Sequence, residues 1–284
     1  LMMTQSDRAT ELLADTPALL KHITGVLNDQ SLDERLYSKN ILNSSTASSV
    51  LFLLGCHCGE NKHATESCLV LNKRSLKVRQ AGDLCCPGGS ISSRLDFLLA
   101  KMLSLPGSPL ARWSYRHVWR KRQSNELKNL ALLLAAGLRE GFEEMHLNPF
   151  GVQLLGPLSP ERLVMFQRVI YPFVCWISTQ KQFKPNWEVE KILYIPLREL
   201  LDHDRYARYR LHIDTTENTD KNRRVKEFRC FIHHDRGETE RLWGATFRIT
   251  MRFLELVFGF VPPDIDALPT VEGRLDENYL TGNG

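Results

Sequence analysis

Three carboxylates close together in the stretch Leu138–Leu147, LREGFEEMHL, are the residues whose type and spacing could do chemistry: Glu140, Glu143 and Glu144. In a helix, offsets of three and four residues place all three on one arc of about 100°. Leu130, Leu134, Leu138, Phe142 and Met145 gather on a different arc, which predicts an amphipathic helix with that second arc buried. Like charges at i,i+4 each cost the helix a few tenths of a kcal/mol, or about 0.2–0.5. A divalent cation would neutralise them. Hard carboxylate oxygens without Cys or His among them favour Mg²⁺ or Mn²⁺ over zinc. The competing reading is a solvated acidic face with Arg139 paired to a neighbour.

A glycine pair precedes this helix in the chain. Pro87-Gly88-Gly89 reads as a turn or loop, because consecutive glycines permit positive φ and let backbone approach another group closely. Other candidates carry less. Cys56-x-Cys58 offers two soft ligands, but no second pair at zinc-finger spacing follows. His233 and His234 are adjacent, so on a strand they point to opposite faces and do not share an ion. Arg112, Arg116 and Arg120, with Lys121 and Arg122 and interleaved by Trp113, Tyr115 and Trp119, form a basic stripe at i, i+4 and i+8. That stripe suits phosphate, RNA or an anionic lipid surface, or else an exposed helix face with aromatic anchors.

Among the elements around these groups, residues 8–28 carry apolar positions at helical spacing, interrupted at Thr16-Pro17. Val50–Cys56 and Cys68–Asn72 are short apolar runs separated by the polar Gly59–Thr65, which predicts two strands joined by a hairpin-like turn. Helical pieces are expected at Arg94–Ser104 and Leu110–Gln123, with a break at Pro106-Gly107-Ser108-Pro109. After the acidic helix, strands are expected at Val152–Leu158, Arg168–Ser178 and Glu188–Pro196, followed by a short helix Leu197–Asp202. Tyr209–Asp214 and Glu227–His233 read as a hairpin around the charged TTENTDKNRR, and Leu242–Phe258 as a last amphipathic helix stopped by Pro262-Pro263 before a polar tail. Strands mixed with helices in this order predict an α/β layered sandwich.

The whole chain sets the bounds. Its 284 residues are enough for a sizeable core, and a composition of 43% hydrophobic and 25% charged residues is that of a globular protein. A net charge of +4 makes no demand for DNA, RNA or membrane as a partner. No apolar run approaches the roughly 20 residues needed to cross a bilayer, and LMMTQSDRATELLADT lacks the pattern of a secretory signal, so a cytoplasmic protein is expected. Seven cysteines, two of them adjacent at Cys85-Cys86, agree with a reducing compartment and with buried strand cysteines.

The order of these motifs resembles the Nudix hydrolase family, most nearly the subgroup similar to coenzyme A diphosphatases. Arg74-Ser75, Arg79 and Gly82 stand ahead of Cys86-Pro87-Gly88-Gly89, where the subgroup has an arginine-serine pair, a further arginine and a glycine before Phe-Pro-Gly-Gly. Arg139-Glu140 and Glu143-Glu144 match the box helix. Glu188-Val189 running to Ile195-Pro196-Leu197 and Leu200-Leu201 agrees too, as does Leu242-Trp243-Gly244-Ala245-Thr246, similar to the subgroup's Trp-Gly-x-Thr. The likeness spans roughly residues 48–260. It departs from the pattern in four ways. Gly89 and Arg139 lie 50 residues apart where the family has 14, an insertion of 36. Counting back eight from Arg139 to the first box glutamate lands on Ala131. Arg79 and Gly82 stand one residue closer than in the subgroup, and Cys86 replaces its phenylalanine.

The resemblance implies an α/β/α sandwich of Nudix type with a mixed sheet, divided as an N-terminal helical segment 1–47, the main domain 48–262 with a helical insertion 90–128, and a C-terminal tail 263–284. It implies Mg²⁺- or Mn²⁺-dependent cleavage of a diphosphate linkage in a nucleoside-diphosphate derivative such as coenzyme A or a related dinucleotide. Glu140, Glu143 and Glu144 would hold the metal, Gly88 and Gly89 would approach metal and phosphates, and Arg139 would fix a helix carboxylate. Arg74 and Arg79 would face the anionic substrate. The general base stays open among the helix glutamates, Glu188 and Glu161. The alternative is a Nudix-like nucleotide-binding module with weakened catalysis, and a third reading is an RNA or membrane adaptor using the basic stripe. The insertion is compatible with a lid, a subunit contact in a homodimer, or a brace for the N-terminal helices.

Overall fold

A computed structural model describes residues 5–33, 36–37, 46–58, 65–92, 94–122, 124–163, 168–213, 224–275 and 279. All but Thr65 of the hairpin turn expected at Gly59–Thr65, and all but Arg224 of the charged loop expected at 215–224, lie outside these residues. The chain opens with α1 (Gln5–Ala14) and α2 (Thr16–Asp33). The restart is built locally: Pro17 sits in the first turn of α2, and the Asp15 carboxylate accepts the Ala18 N–H at 3.1 Å as an N-cap.

Strands β1 (Ala47–Cys58) and β2 (Thr65–Arg74) then pair antiparallel, with Leu53 opposite Val70. Next come β3 (Leu84–Cys85), against the end of β2, and β4 (Gly88–Ser90). The glycine pair expected as a loop is therefore a short strand, paired with β1 through Val50–Gly88 and Ser49–Gly89. Glycine is required there because Gly88 has φ +152° and any Cβ on it would strike the Ser49 carbonyl.

The insertion folds as α3 (Leu95–Met102), α4 (Pro109–Arg112) and α5 (Arg116–Arg122). Helix α4 ends at Trp113, whose ψ of 122° is extended, so the basic stripe does not run along one helix. Arg112 instead donates to the Phe150 and Val152 carbonyls at 2.7 and 3.1 Å, and the buried Trp113 indole donates to Leu155 O at 3.2 Å. Arg112 and Trp113 thus brace the insertion on the strand that follows α6 (Ser124–Met145), the long acidic helix.

Of the predicted apolar arc on α6, Leu130, Leu134, Leu138 and Met145 are buried, but Phe142 is 52% exposed and rests on the His146 ring. Small residues replace it at the contact. Ala135, Ala136 and Gly137 let α6 come so close to β1 that a Cβ on Gly137 would lie 2.9 Å from Leu51 Cδ2.

The chain continues through β5 (Val152–Pro157), β6 (Glu161–Leu163), β7 (Arg168–Ile177), β8 (Val189–Pro196), α7 (Leu197–Leu200), β9 (Tyr206–Ile213), β10 (Arg224–Asp235), β11 (Glu238–Leu242), α8 (Gly244–Phe258) and β12 (Thr270–Leu275). Strand β11, not anticipated in its charged sequence ETERL, turns back from β10 through Arg236-Gly237, both at positive φ. Helix α8 ends at a left-handed Gly259 (φ +67°), ahead of the two prolines credited with stopping it. Residues 270–275 of the segment read as a polar tail form β12, parallel to β9.

Eight strands make one mixed sheet with the central order β3-β2-β1-β7-β5. Strand β4 also pairs with β1, β6 with β7 and β8 with β2. Only the β1–β7 ladder is parallel, with α6 in the crossover between them. The second sheet has the order β11-β10-β9-β12. Glu240 of β11, nearly buried, ties it to the first sheet through Lys73 at 3.0 Å and Lys191 at 2.9 Å.

The continuous apolar runs in β1, β2 and β7 follow from burial on both faces. Phe52, Leu54, Leu69, Leu71, Val174 and Trp176 pack toward α2 and α8, whereas Leu51, Leu53, Val70, Phe173 and Cys175 pack toward α6 and the insertion. The result is an α/β/α sandwich around a mixed sheet. Among the described residues, no helix is long and apolar enough to cross a membrane.

Candidate active site

The last two turns of α6 lie against the β4 bridge, and two of the three glutamates reach it. Glu144, 8% exposed, accepts the Asn72 Nδ2–H of β2 at 2.9 Å and a hydrogen bond from the Gly88 backbone. Glu140 fills the space beside Gly89, where a Cβ would come within 2.5 Å of its carboxyl carbon. Glycine at 89 is thus what lets the backbone and the Glu140 carboxylate share one spot.

Glu143 goes elsewhere. Its carboxylate is half exposed and pairs with Arg139 Nη1 at 3.2 Å. The expected three-glutamate cluster is therefore not assembled, and among the described residues no group of three His, Cys, Asp or Glu side chains is placed to hold a metal. Arg139 Nη1 instead meets both Glu143 carboxylate oxygens, at 3.3 and 3.2 Å, as an i,i+4 pair on the same helix face.

Arg139 does pair with helix carboxylates, with Nη2 3.0 Å from Glu140 as well. Its strongest partner was not foreseen. Asp96, fully buried in α3, meets Nε at 2.8 Å and Nη2 at 3.3 Å, and also accepts the Ser92 N–H at 2.6 Å. Counting back from Arg139 lands on Ala131, which packs apolar neighbours. Counting forward from Gly89 would have found an acid, since Asp96 stands seven residues on. The acid that meets Arg139 thus comes from the Gly89 side of the insertion.

The end of α6 is covered by the segment before β8. Lys184 N–H donates to Met145 O at 3.1 Å and Asn186 N–H to Glu144 O at 2.8 Å. This brings Glu188 close enough for its charge to act on Glu144. Glu161 is not part of the site, because it pairs with Arg248 of α8 at 2.6 Å. Arg74 is half-buried, donates from Nε to Arg79 O at 2.7 Å, and acts electrostatically on Glu144. Arg79 itself is exposed.

Burial first, and the Glu140 charge second, push the Glu144 carboxyl up to about 8. Burial also raises Glu140. Beside them Asn72 Oδ1 is buried without a hydrogen-bond partner. Two carboxylates that burden each other, with a buried amide beside Glu144, offer hard oxygen donors, which fits a hard divalent cation. Mg²⁺ in particular is held by one or two protein carboxylates together with water and phosphate, so a third acid is not required. The neighbouring Cys85 thiol is pushed up to about 12 by burial and then by Glu144, which favours its protonated form.

No protein-family model matches the chain, and no curated protein matches it. Solved structures similar to it include the Nudix hydrolase RenU from M. Smegmatis, at 11% identity and a TM-score of 0.34 over 55% of this chain and 73% of that one. The NUDIX domain of Shewanella oneidensis NrtR complexed with ADP ribose is 14% identical, with a TM-score of 0.33 over 58% of this chain and 81% of that one. A MutT/nudix family protein from Enterococcus faecalis is 9% identical, with a TM-score of 0.38 over 80% of this chain and 66% of that one.

Proposed function

We propose that the chain is a Nudix-type hydrolase, dependent on Mg²⁺ or Mn²⁺, that cleaves the diphosphate linkage of a nucleoside-diphosphate derivative such as coenzyme A or a related dinucleotide. The observation that carries this reading is the seating of Glu140 and Glu144 against the Gly88–Gly89 bridge, within reach of Arg74. A bound divalent ion would supply charge neutralisation of the phosphate oxygens and a lowered pKa for water.

The chain's own residues do the rest. Glu140 and Glu144 hold the cation in this reading, and Asn72 Nδ2–H fixes the rotamer of Glu144. Arg139, locked by Asp96, fixes Glu140. Arg74 faces the anionic linkage with a permanently charged, planar guanidinium, and Arg79 extends that charge to the surface. Of the groups able to take a proton from water, Glu188 is near Glu144 and Glu161 is not, so Glu188 is the preferred base outside the helix.

The second reading, a nucleotide-binding module with weakened turnover, is favoured by the capture of Glu143 by Arg139. One experiment separates the two. Purified protein with Mg²⁺ is incubated with coenzyme A, ADP-ribose, NADH and dinucleoside polyphosphates, and products are resolved by ion-exchange chromatography. Release of mononucleotide from one member supports the hydrolase. Tight binding without cleavage of any member supports the module.

A further inference from the structure

The Trp-Gly-x-Thr stretch is not used by the carboxylate site, and the structure gives it a different partner. Trp243 is the extended residue before α8, and Gly244 at φ +66° turns the chain so that the indole reaches back over the loop between β2 and β3. There its Nε1–H donates to Asp83 Oδ1 at 2.9 Å. Tyr279 fills the other half of the same slot. Its hydroxyl donates to Asp83 Oδ2 at 2.5 Å, its carbonyl accepts the Gln80 N–H at 2.7 Å, and its ring lies 6.4 Å from Trp243 at 34°.

This slot adjoins the carboxylate site. Arg74 and Asn72 are alternate residues on β2, about 7 Å apart along the strand. Asn72 bonds Glu144, whereas the Arg74 main chain bonds the Asp83 carbonyl. Arg74 is also close enough to act electrostatically on Asp83, Tyr279 and Glu144 alike. An anionic linkage lying over Arg74, with its phosphates at Glu140 and Glu144, would point its other end at Trp243 and Asp83.

We infer that Tyr279 occupies the place of a nucleobase, and that Trp243 and Asp83 form the base subsite of the substrate. The inference rests on the nucleoside-diphosphate reading and narrows it. The Tyr279 ring and hydroxyl stand in for a flat base with an N–H donor at its edge. Asp83 Oδ2 then takes the donor, as a carboxylate takes a base amino group, and Trp243 offers its ring to the base. Adenine, guanine and cytosine carry an exocyclic amino group. Uracil presents its N–H between two carbonyls that a carboxylate repels, so the subsite selects amino-bearing bases.

The test is equilibrium binding of AMP and UMP, followed by tryptophan fluorescence, in EDTA where no turnover occurs. Tyr279→Ala is expected to bind AMP at least tenfold more tightly than the wild type, with UMP nearly unchanged, and Asp83→Asn in that background is expected to remove the gain. Tyr279→Phe, which keeps the ring and loses only the hydroxyl, is expected to gain a few-fold. Equal AMP affinity in the wild type and in folded Tyr279→Ala and Tyr279→Phe would overturn the inference, as would an equal gain for UMP. Because binding is read without hydrolysis, a silent substrate panel would defeat the hydrolase reading and leave this result standing. A cleaved panel with no change at Tyr279 would defeat the base subsite alone.

Discussion

Removing Asp96 from α3 tests how the insertion holds the acidic helix. Its carboxylate is fully buried and spends both oxygens on three hydrogen bonds, two from Arg139 and one from Ser92. Asp96→Ala leaves a guanidinium that is 11% exposed without its best partner. Breaking such a pair costs about 3–5 kcal/mol, because the surviving charge stays desolvated. Glu140 at 3.0 Å and the more exposed Glu143 at 3.2 Å return part of this, so the expected loss is about 3 kcal/mol. Asp96→Asn keeps the shape and the Ser92 bond but sets its amide N–H against the Arg139 Nε–H and removes the counter-charge, so it should lose about as much, about 3 kcal/mol. Urea denaturation at pH 7 with unchanged slope measures both. A loss below about 1 kcal/mol for the alanine variant would refute the anchoring role and assign the α3–α6 contact to apolar packing.

Glu144 carries a pH signature in metal-free protein. Its carboxyl is raised to about 8, so the native state holds that proton more tightly than the unfolded chain does. The stability this gives is complete below the ordinary carboxylate range and is lost as pH rises to about 8, a change on the order of a few kcal/mol. In EDTA, Glu144→Gln should flatten the pH dependence of the melting temperature and stabilise the protein above pH 8, and parallel curves for the two proteins would contradict it. Gly89→Ala places a methyl within 2.5 Å of the Glu140 carboxyl carbon, so Mn²⁺ affinity measured by calorimetry should fall at least tenfold while the fold persists. Unchanged affinity would remove Glu140 from the site.

How much of the fold the residues disclose follows from how local each signal is. Strands β1, β2 and β7 were legible because both their faces are buried, which leaves runs of apolar residues that no loop tolerates. The acidic helix was legible from its 3.6 periodicity, yet Phe142 was misassigned because Gly137 and Gly141 give α6 a close contact with β1 that larger side chains would prevent. Asp96 is invisible to a count taken back from Arg139, since 43 residues separate the two in sequence. The meeting of Arg112 and Trp113 with β5, and of Trp243 with Asp83, joins residues 40 to 160 positions apart. Periodicity carries no information about such pairs. The same holds for β12, paired to β9 without a buried position, and for β11, where one of the two buried positions is the charged Glu240, held by Lys73 and Lys191 rather than by apolar packing.

The most direct measurement of the central claim is product release from the best panel substrate by wild type and Glu144→Gln, each stripped with EDTA and then returned to Mg²⁺. Stripped wild type is expected to be silent, Mg²⁺ to restore it, and the variant to stay at least a thousandfold slower while folded. Equal turnover by the two proteins, or turnover by the stripped wild type, would contradict the claim.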